Sequence, residues 1–513
     1  MRSSRLSGQI TVFLSLLLTI FISLIFSLFY SAIISGKRTM AENAIDLTMD
    51  SIFAQYNRKL LDDYDLFYID MNEMGIQANK EGLSDKYISL LKENIDYENK
   101  APYLLGADNF LSLKLSNVDA SILKYSVASD NKGYVYRQQA INYMKTAFPE
   151  IMLKNVKERL KDKEYGADVN LDKKLSSANS SIENAKKDDK SYKEVKDKKA
   201  YDNYKKHKKN KKKSDNKIKR ISSKHYYDIN PANINTDFMG YVNNMKAGGI
   251  LGKVWNKNIS SRAVDKYRLI SKRGSINTGD GFYKDFRYNN YQDKLLFNEY
   301  LLEHFSNAIN NKGNRALEYE IEYFLYGKES DVKNLRAVAD NLLLIRSGAN
   351  YLHIVSDSEK KSEAEGLAAL IATLLFSPEA TDAVAQLIMG VWAFGESMLD
   401  VKDLFDGKRV PIIKTKQTFK LQLSNITNVF SQNYEECKDP TALDYKDYLR
   451  ILLLINNQKN NVLRSMDLIE ANLTLYDEHK NFKMDSCVEF IDLDIHFFIG
   501  KDIKYNKKFG YIQ

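Results

Sequence analysis

An uncharged apolar run near the N-terminus constrains this chain most. Residues 10–34 contain the 25-residue stretch ITVFLSLLLTIFISLIFSLFYSAII, with no Asp, Glu, Lys or Arg. A helix rises 1.5 Å per residue and needs about 20 residues to cross a hydrocarbon layer of ~30 Å. A cleaved signal peptide normally has a shorter apolar region of about 7–15 residues, followed by a small-residue cleavage site. The run therefore predicts an uncleaved transmembrane helix, with the lipid bilayer as its first partner.

Hydroxyl side chains recur along this run at about every fourth residue, which places them on one helical stripe. They are Thr11, Ser15, Thr19, Ser23, Ser27 and Ser31. The stripe would suit a seam against another membrane helix. The alternative, which we favour, is that the hydroxyls bond back to carbonyls of their own helix. Basic residues flank the run almost equally on both sides, and the terminal amine tips the positive-inside rule towards a cytoplasmic N-terminus.

The composition indicates long regular elements, mainly helices. The chain has only 6 Pro and 23 Gly in 513 residues, with 44% hydrophobic residues, enough for a sizeable core. We predict an α+β fold, predominantly helical, with most of its mass outside the cytoplasm. The predicted order is a cytoplasmic leader (1–9), a transmembrane helix (10–34), a stalk helix (35–64), the first part of an ectodomain (65–159), a Lys-rich flexible linker (160–224) and the main ectodomain (225–513).

The predicted stalk has an apolar helical face formed by Ala41, Ala44, Ile45, Thr48, Ile52 and Gln55. Within the main ectodomain we predict a helical block over 317–410. It has one helix with Asp331 as N-cap, a second stopped by Pro378 and a third that ends at Gly407. The second and third are too short or too polar for a membrane hairpin, so we expect buried helices.

Period-two alternation predicts strands in LSLKLSNV (111–118) and in SCVEFIDLDIHFFIG (486–500). The second strand follows a helix within 441–500 and is expected to have one wet face.

The net charge of +9 comes from one segment. Between 183 and 224 there are 18 Lys/Arg and 7 Asp/Glu, a net of +11, so the rest of the chain carries 9 − 11 = −2. Few aliphatic residues remain there to bury, and a flexible linker is the favoured interpretation. Attraction to anionic wall polymers or lipid headgroups is the second interpretation. Nucleic-acid binding comes last, because an exported domain would not meet nucleic acid.

Motifs that carry chemistry do not occur in the sequence. We find no P-loop, dinucleotide-binding glycine motif, nucleophile elbow or HExxH, and the six His have no metal-ligand spacing. We therefore predict no catalytic, cofactor-binding or metal-binding residue, and no cofactor. His353 is expected to be a core histidine. Asp492 and Asp494 could bind a cation, although a solvated strand face is favoured. Cys437 and Cys487 allow one disulfide or two free thiols.

One polar cluster is predicted to be structural. Arg346 and Glu396 lie in otherwise apolar helices, and Glu318 and Glu322 are predicted to share a helical face close to Glu320. A buried charge without a partner is very costly. We therefore expect Arg346 to form an ion pair with one of these glutamates, rather than two carboxylates to form a catalytic pair.

Several segments resemble a family of membrane-anchored proteins from Clostridia-like Firmicutes. The N-terminal residues 7–67 carry this resemblance, together with LEYEIEYFLYGKESDVKNLRAVADNLLLIR, EKKSEAEGLAALIA and GESMLDVKDLFDGKRVPIIKT. It covers most of the chain except the Lys-rich segment. The first ~35 residues resemble TadE/TadG-like pseudopilins, with a short basic leader, a Gly and an apolar helix.

This resemblance implies an accessory or structural role in a tight-adherence (Tad/Flp) pilus-like or secretion system, with an exported C-terminal domain and no established activity. Other Tad-like membrane components would then be partners of the transmembrane helix. Gly8 would be the processing site, but Phe13 stands five residues after it where pilins carry a Glu. We therefore expect no cleavage. The alternative function is an enzyme or sensor ectodomain that acts on wall polymers from the same anchor.

Overall fold

The computed structural model describes the chain in eight stretches: residues 3–100, 116–161, 249–280, 291–374, 381–426, 428–430, 432–499 and 501–512. Most of the Lys-rich segment, most of the predicted strand at 111–118 and Pro378 lie outside these residues. The described part is mainly helical with one small sheet, which agrees with the predicted fold class. The helices are α1 (Ser3–Phe53), α2 (Arg58–Tyr64), α3 (Lys80–Lys100), α4 (Asp130–Lys161), α5 (Leu251–Val254), α6 (Tyr291–His304), α7 (Glu320–Tyr326), α8 (Asp331–Ser356), α9 (Ser358–Leu374), α10 (Thr381–Phe405), α11 (Tyr445–Ile455) and α12 (Gln458–Leu473).

The strands form one antiparallel sheet built from distant parts of the chain. They are β1 (Ile69–Asp70), β2 (Ser116–Val127), β3 (Cys487–Phe498) and β4 (Asp502–Gly510). β3 is central: it pairs with β2 on one side and with β4 and the short β1 on the other. The predicted C-terminal strand is confirmed. Its Ile491, Leu493, Ile495 and Phe497 are buried in the core, as the alternation requires.

The chain divides into two compact units, and neither is continuous in sequence. Unit 1 comprises Met1–Pro149, Asp265–His304 and Gln458–Gln513, and unit 2 comprises Glu150–Val264 and Phe305–Asn457. The predicted division at residue 225 does not follow these units. The reason is the sheet, because β3 and β4 near the C-terminus can satisfy their backbone groups only beside β1 and β2 from the first 127 residues.

The predicted stalk is part of the core of unit 1. Helix α1 runs without a break from the apolar run to Phe53, and α2 follows as a separate helix. Ala41, Ala44, Ile45, Thr48 and Ile52 of the predicted apolar face are all buried, whereas Gln55 is exposed. This face packs into the same core as the sheet and α3. The stalk helix predicted to reach Tyr64 ends at Phe53, and its apolar face is covered by α3 and the sheet.

Unit 2 is a helical unit in which α10 packs against α8 and α9. α10 is apolar and long enough for a membrane span by composition, but most of it is buried inside the protein. The prediction of a buried helix is confirmed for α10, whereas α9 buries only Ala364, Ala368 and Ile371 among its described side chains. The C-terminus of α10 also follows the prediction, since Gly407 has φ +82° just beyond the helix. Ser330, not Asp331, occupies the N-cap position of α8. The Asp331 side chain instead accepts hydrogen bonds from Ser260 Oγ and the backbone amides of Glu318 and Tyr319.

Candidate functional site

A fully buried network of charged side chains lies in unit 2, between α8, α10 and the segment that follows α10. Arg346 on α8 donates from Nε to Asp400 Oδ2 at 2.9 Å, and both side chains are 1% exposed. The remaining guanidinium nitrogens donate to Ile412 O at 2.8 Å, to Tyr448 Oη at 3.2 Å and to Asn350 Oδ1 at 3.2 Å. The planar guanidinium is thus bonded in several directions at once, which suits Arg to a buried site better than Lys.

A second ion pair joins the first through Lys414. Its Nζ lies 2.6 Å from Glu396 Oε1 and 2.6 Å from Asp400 Oδ1, and it donates to Thr418 O at 3.0 Å. Glu396 accepts further hydrogen bonds from the backbone amides of Lys420 and Leu421, at 3.0 and 2.7 Å. Two cations therefore meet two anions, and the network is neutral overall. Partner and hydrogen-bond geometry of this quality is what allows charges to be buried.

The electrostatics of the network favour the charged forms of Asp400 and Lys414. Burial by itself would raise the pKa of Asp400, but the Lys414 ammonium and the Arg346 guanidinium hold that pKa below its ordinary value. Burial opposes the charge of Lys414 as well, but Asp400 and Glu396 raise its pKa. A carboxylate paired in this way cannot serve as a general base near neutral pH, because its proton affinity is too low. The arrangement is suited to holding α8 and α10 in register.

The sequence prediction found two members of this network and missed two. Arg346 is buried and paired, but with Asp400, not with any of the predicted glutamates. Glu396 belongs to the network through Lys414. The i, i+4 spacing of Glu396 and Asp400 on α10 puts both on one helical face, so Asp400 could have been named from the sequence. Lys414 could not, because it lies in an irregular segment whose path depends on tertiary structure.

The other predicted glutamates lie elsewhere in unit 2. Helix α7 begins at Glu320, so Glu318 does not share a helical face with Glu322. Glu318 is partly exposed and its Oε1 lies 3.3 Å from Arg262 Nε. Glu320 is buried and accepts a hydrogen bond from the Ser306 backbone amide at 2.7 Å. These positions follow from the short α7, which turns its acidic side chains towards the loop after α6.

Glu322 contacts Tyr445 and the loop after α6. It is fully buried. Its Oε1 accepts hydrogen bonds from Tyr445 Oη at 2.6 Å and from the Ala308 backbone amide at 2.9 Å. Its Oε2 has no hydrogen-bond partner among the described residues. Burial raises the pKa of Glu322 to about 7, despite the two donors. Glu322 therefore titrates near neutral pH.

The apolar half of α1 is the other candidate functional feature. Its large side chains from Ile10 to Tyr30 are exposed, and α1 is long and apolar enough to cross a membrane. Ser15, Thr19 and Ser23 donate to backbone carbonyls three or four residues earlier in the same helix, at 2.8 Å. This agrees with the favoured interpretation of the hydroxyl stripe. Gly8 lies within α1, and its processing stays a prediction.

The remaining candidates have ordinary structural surroundings. His353 is partly buried, stacks on Phe419 with ring centroids 5.3 Å apart, and burial lowers its pKa. Asp492 contacts Lys508 and Asn506, and Asp494 contacts His496. Among the described residues, no group of three or more His, Cys, Asp or Glu could hold a metal ion. Cys437 and Cys487 are free thiols, and burial raises the pKa of Cys487.

Comparison with known families gives one match. The sequence profile of a family of unknown function, DUF5702, matches residues 230–499, which is more than half of the chain. The chain belongs to the DUF5702 family. The match contains the whole buried network and Glu322 and ends one residue after β3, so the DUF5702 region draws on both compact units. Helix α1 precedes it. No curated protein and no solved structure matches the chain.

Proposed function

We propose that the chain is a single-pass membrane protein whose helix α1 crosses the cell membrane, with its N-terminus in the cytoplasm. Unit 2 and the part of unit 1 that follows the apolar run then lie outside. The supporting observation is the contrast along α1: large apolar side chains are exposed from Ile10 to Tyr30, and the same helix is buried in a folded core from Ala41. Such an apolar surface in water would be very unfavourable, whereas in lipid it needs no protein partner.

An impermeant amine reagent tests this topology on intact cells. Lys266 and Lys438 are suitable reporters, because Lys438 is almost fully exposed and Lys266 is exposed in unit 1. We expect both to be labelled before permeabilisation, and a cytosolic lysine-rich protein to be labelled only afterwards. Labelling of both residues only after permeabilisation would place the units in the cytoplasm. Release of the full chain by alkaline carbonate would exclude the transmembrane helix itself.

Within the envelope, we propose an accessory or structural role in a Tad/Flp-like pilus or secretion system. The resemblance of the N-terminus to TadE/TadG-like pseudopilins supports it, and so does the continuity of the apolar segment of α1 with a helix that packs on an antiparallel sheet. The chemistry of unit 2 is compatible with this role. Its deeply buried Glu396 and Asp400 are neutralised by cations of the same network.

Co-purification after crosslinking within the membrane tests the proposed role. The variant combines Ser27→Leu and Ser31→Leu on the hydroxyl stripe, and Phe26→Leu, also in the apolar run, is the control. We expect the full chain to crosslink to TadE-like or other Tad components encoded beside it, and the double variant to lose this contact while the control keeps it. Neighbouring genes without a secretion ATPase or TadE-like proteins, together with no crosslinked Tad component, would refute the assignment.

A further inference from the structure

The ring of His304, the last residue of α6, lies between two oxygen atoms in unit 1. Its Nδ1 is 3.0 Å from Tyr300 O, and its Nε2 is 2.9 Å from Asp65 Oδ2. The His304 side chain is only 7% exposed, whereas Asp65 is 41% exposed. The ring also stacks on the Tyr300 ring, with the centroids 4.3 Å apart, and meets the Tyr143 ring of α4 edge-on at 5.5 Å. Both ring nitrogens therefore face an oxygen atom.

The chemistry of these two oxygens fixes the number of protons on the ring. A backbone carbonyl accepts hydrogen bonds and cannot donate one, so Nδ1 must carry a proton. Asp65 could donate to Nε2 only in its protonated form. Burial by itself would raise the pKa of Asp65, but hydrogen bonds from His304 and Tyr143 hold that pKa below its ordinary value. Because Asp65 is thus an acceptor, Nε2 must carry a second proton, and the contact requires an imidazolium ring.

The surroundings of the ring suit this cation. His304 lies at the C-terminal end of α6, where the helix dipole stabilises positive charge. The face of the Tyr300 ring also attracts a cation. Asp65 directly follows α2 and has φ +53°, a left-handed conformation that is unfavourable for residues with a Cβ. The ion pair with His304 therefore also helps to hold Asp65 in a strained backbone conformation.

The contact between Asp65 and His304 stands at the start of the connection from α2 to the sheet. Two residues further on, the Phe67 amide donates to Gln139 Oε1 at 3.0 Å, and Gln139 Nε2 donates to Phe67 O at 2.8 Å. Strand β1 then begins at Ile69. His304 is the residue at which the chain leaves unit 1. The contact therefore fastens the end of α6 to the segment between α2 and β1.

We propose that Asp65 and His304 form a pH-dependent latch in unit 1, which is closed when the His304 ring carries both protons and opens when it carries one. On opening, the Nε2 proton passes to the solvent, which reaches the contact through the exposed part of Asp65. Nδ1 keeps its bond to Tyr300 O, and the Nε2 lone pair then faces the carboxylate and repels it. Because histidine ordinarily changes its charge between pH 5 and 8, a rise of pH through this range loosens the segment between α2 and β1.

Other titratable groups lie close to the latch and bear on its test. Tyr143 of α4 and Tyr300 of α6 face the His304 ring. Burial raises the pKa of Tyr300, so this phenol stays neutral throughout the range. Asp70 of β1 lies in the segment that the latch fastens, and burial raises its pKa to about 6. Ionisation of Asp70 therefore also changes the stability of this segment, and the test must separate it from the latch.

Hydrogen exchange of the full chain in detergent tests the latch, with mass spectrometry of peptides that cover residues 65–70 at about pH 6 and about pH 8.5. Rates are corrected for the intrinsic pH dependence of exchange. The decisive variant is Asp65→Asn. Asn tolerates the left-handed conformation, and its amide can donate to a neutral Nε2 or accept from a protonated one, so the contact no longer depends on the second proton. The control is His496→Gln, because His496 also contacts an aspartate in unit 1, Asp494, at 3.1 Å, but in a more exposed pair.

Between the two pH values, we expect exchange in the unmodified chain and in His496→Gln to accelerate at least fivefold more than in Asp65→Asn. Ionisation of Asp70 occurs in all three chains and cancels in this comparison. His304→Gln, whose amide donates to Asp65 at any pH, should be as insensitive to pH as Asp65→Asn. Equal acceleration in the unmodified chain and in either of these two variants would overturn the latch. Faster exchange of Asp65→Asn at both pH values, with the pH dependence retained, would overturn it as well and would leave only a structural contact.

Discussion

Replacement of Glu322 by Gln should stabilise unit 2 at neutral and alkaline pH, and not at acid pH. The carboxyl is fully buried, and one of its oxygens has no hydrogen-bond partner in the part of the chain that the structure describes. Burial raises its pKa to about 7 from a reference value of 4.5. Below pH 4.5 the folded and unfolded chains both carry the proton, so the raised pKa has no effect on stability. Between pH 4.5 and 7 the unfolded chain loses the proton first, and stability falls as the pH rises.

The magnitude follows from the size of the pKa difference. Each pKa unit corresponds to ~1.4 kcal/mol, so a difference of about 2.5 units destabilises the native protein by about 3 kcal/mol above pH 7. Glu322→Gln cannot ionise and removes this penalty. The amide retains an oxygen to accept from Tyr445 and Ala308, and the altered hydrogen bonding of its nitrogen adds an offset that does not depend on pH.

Urea unfolding of the full chain in detergent, followed by tryptophan fluorescence, measures this effect. Both tryptophans belong to unit 2, so their signal reports on the right unit. We expect the free energy of unfolding of Glu322→Gln, relative to the unmodified chain, to rise by about 3 kcal/mol between pH 4.5 and 8. Glu318→Gln, at a partly exposed position nearby, is the matched control. If the difference in free energy of unfolding between Glu322→Gln and the unmodified chain does not change with pH over this range, a buried, neutral carboxyl is refuted.

Two further substitutions test the packing of each unit. Arg346→Ala removes one cation from the buried network and should lower the free energy of unfolding of unit 2 by about 3–5 kcal/mol, measured by tryptophan fluorescence. Arg336→Ala, at an exposed position on the same helix, should lower it by less than ~0.5 kcal/mol. Equal losses of stability in the two variants would contradict the network. Gly279→Ala would place a Cβ 2.4 Å from Tyr125 O, whereas Gly274→Ala meets open space. We expect Gly279→Ala alone to lower the free energy of unfolding by ~1–3 kcal/mol and to speed hydrogen exchange in β2 at least tenfold. Unchanged exchange would show that the close approach of Gly279 to Tyr125 is unimportant.

Much of the local structure could be predicted from the sequence, because it depends on short-range patterns. The absence of charge over residues 10–34 determines the apolar helix, since a helix that is apolar on all sides must be covered by a protein core or by a membrane. Heptad-like spacing defines α8 and α10, Gly407 marks where α10 ends, and alternation defines β3. Each of these signals lies within about 30 residues of the chain, where helical and strand geometry alone relate residue positions to faces.

Tertiary structure decided how these pieces combine. The apolar face of the predicted stalk was visible in the sequence, but only the sheet, assembled from strands more than 350 residues apart, shows that this face is covered. Likewise, a buried Arg346 needs an oppositely charged partner, because burial removes its hydration, but the sequence does not identify which acid this is. Asp400 becomes its partner through the packing of α8 against α10, and Lys414 reaches Asp400 through the path of the segment after α10. The sequence by itself thus determined the apolar helix, most elements and the need for buried charge compensation. Long-range packing decided which partners meet, and that α1 enters the core of unit 1 from Ala41 onwards.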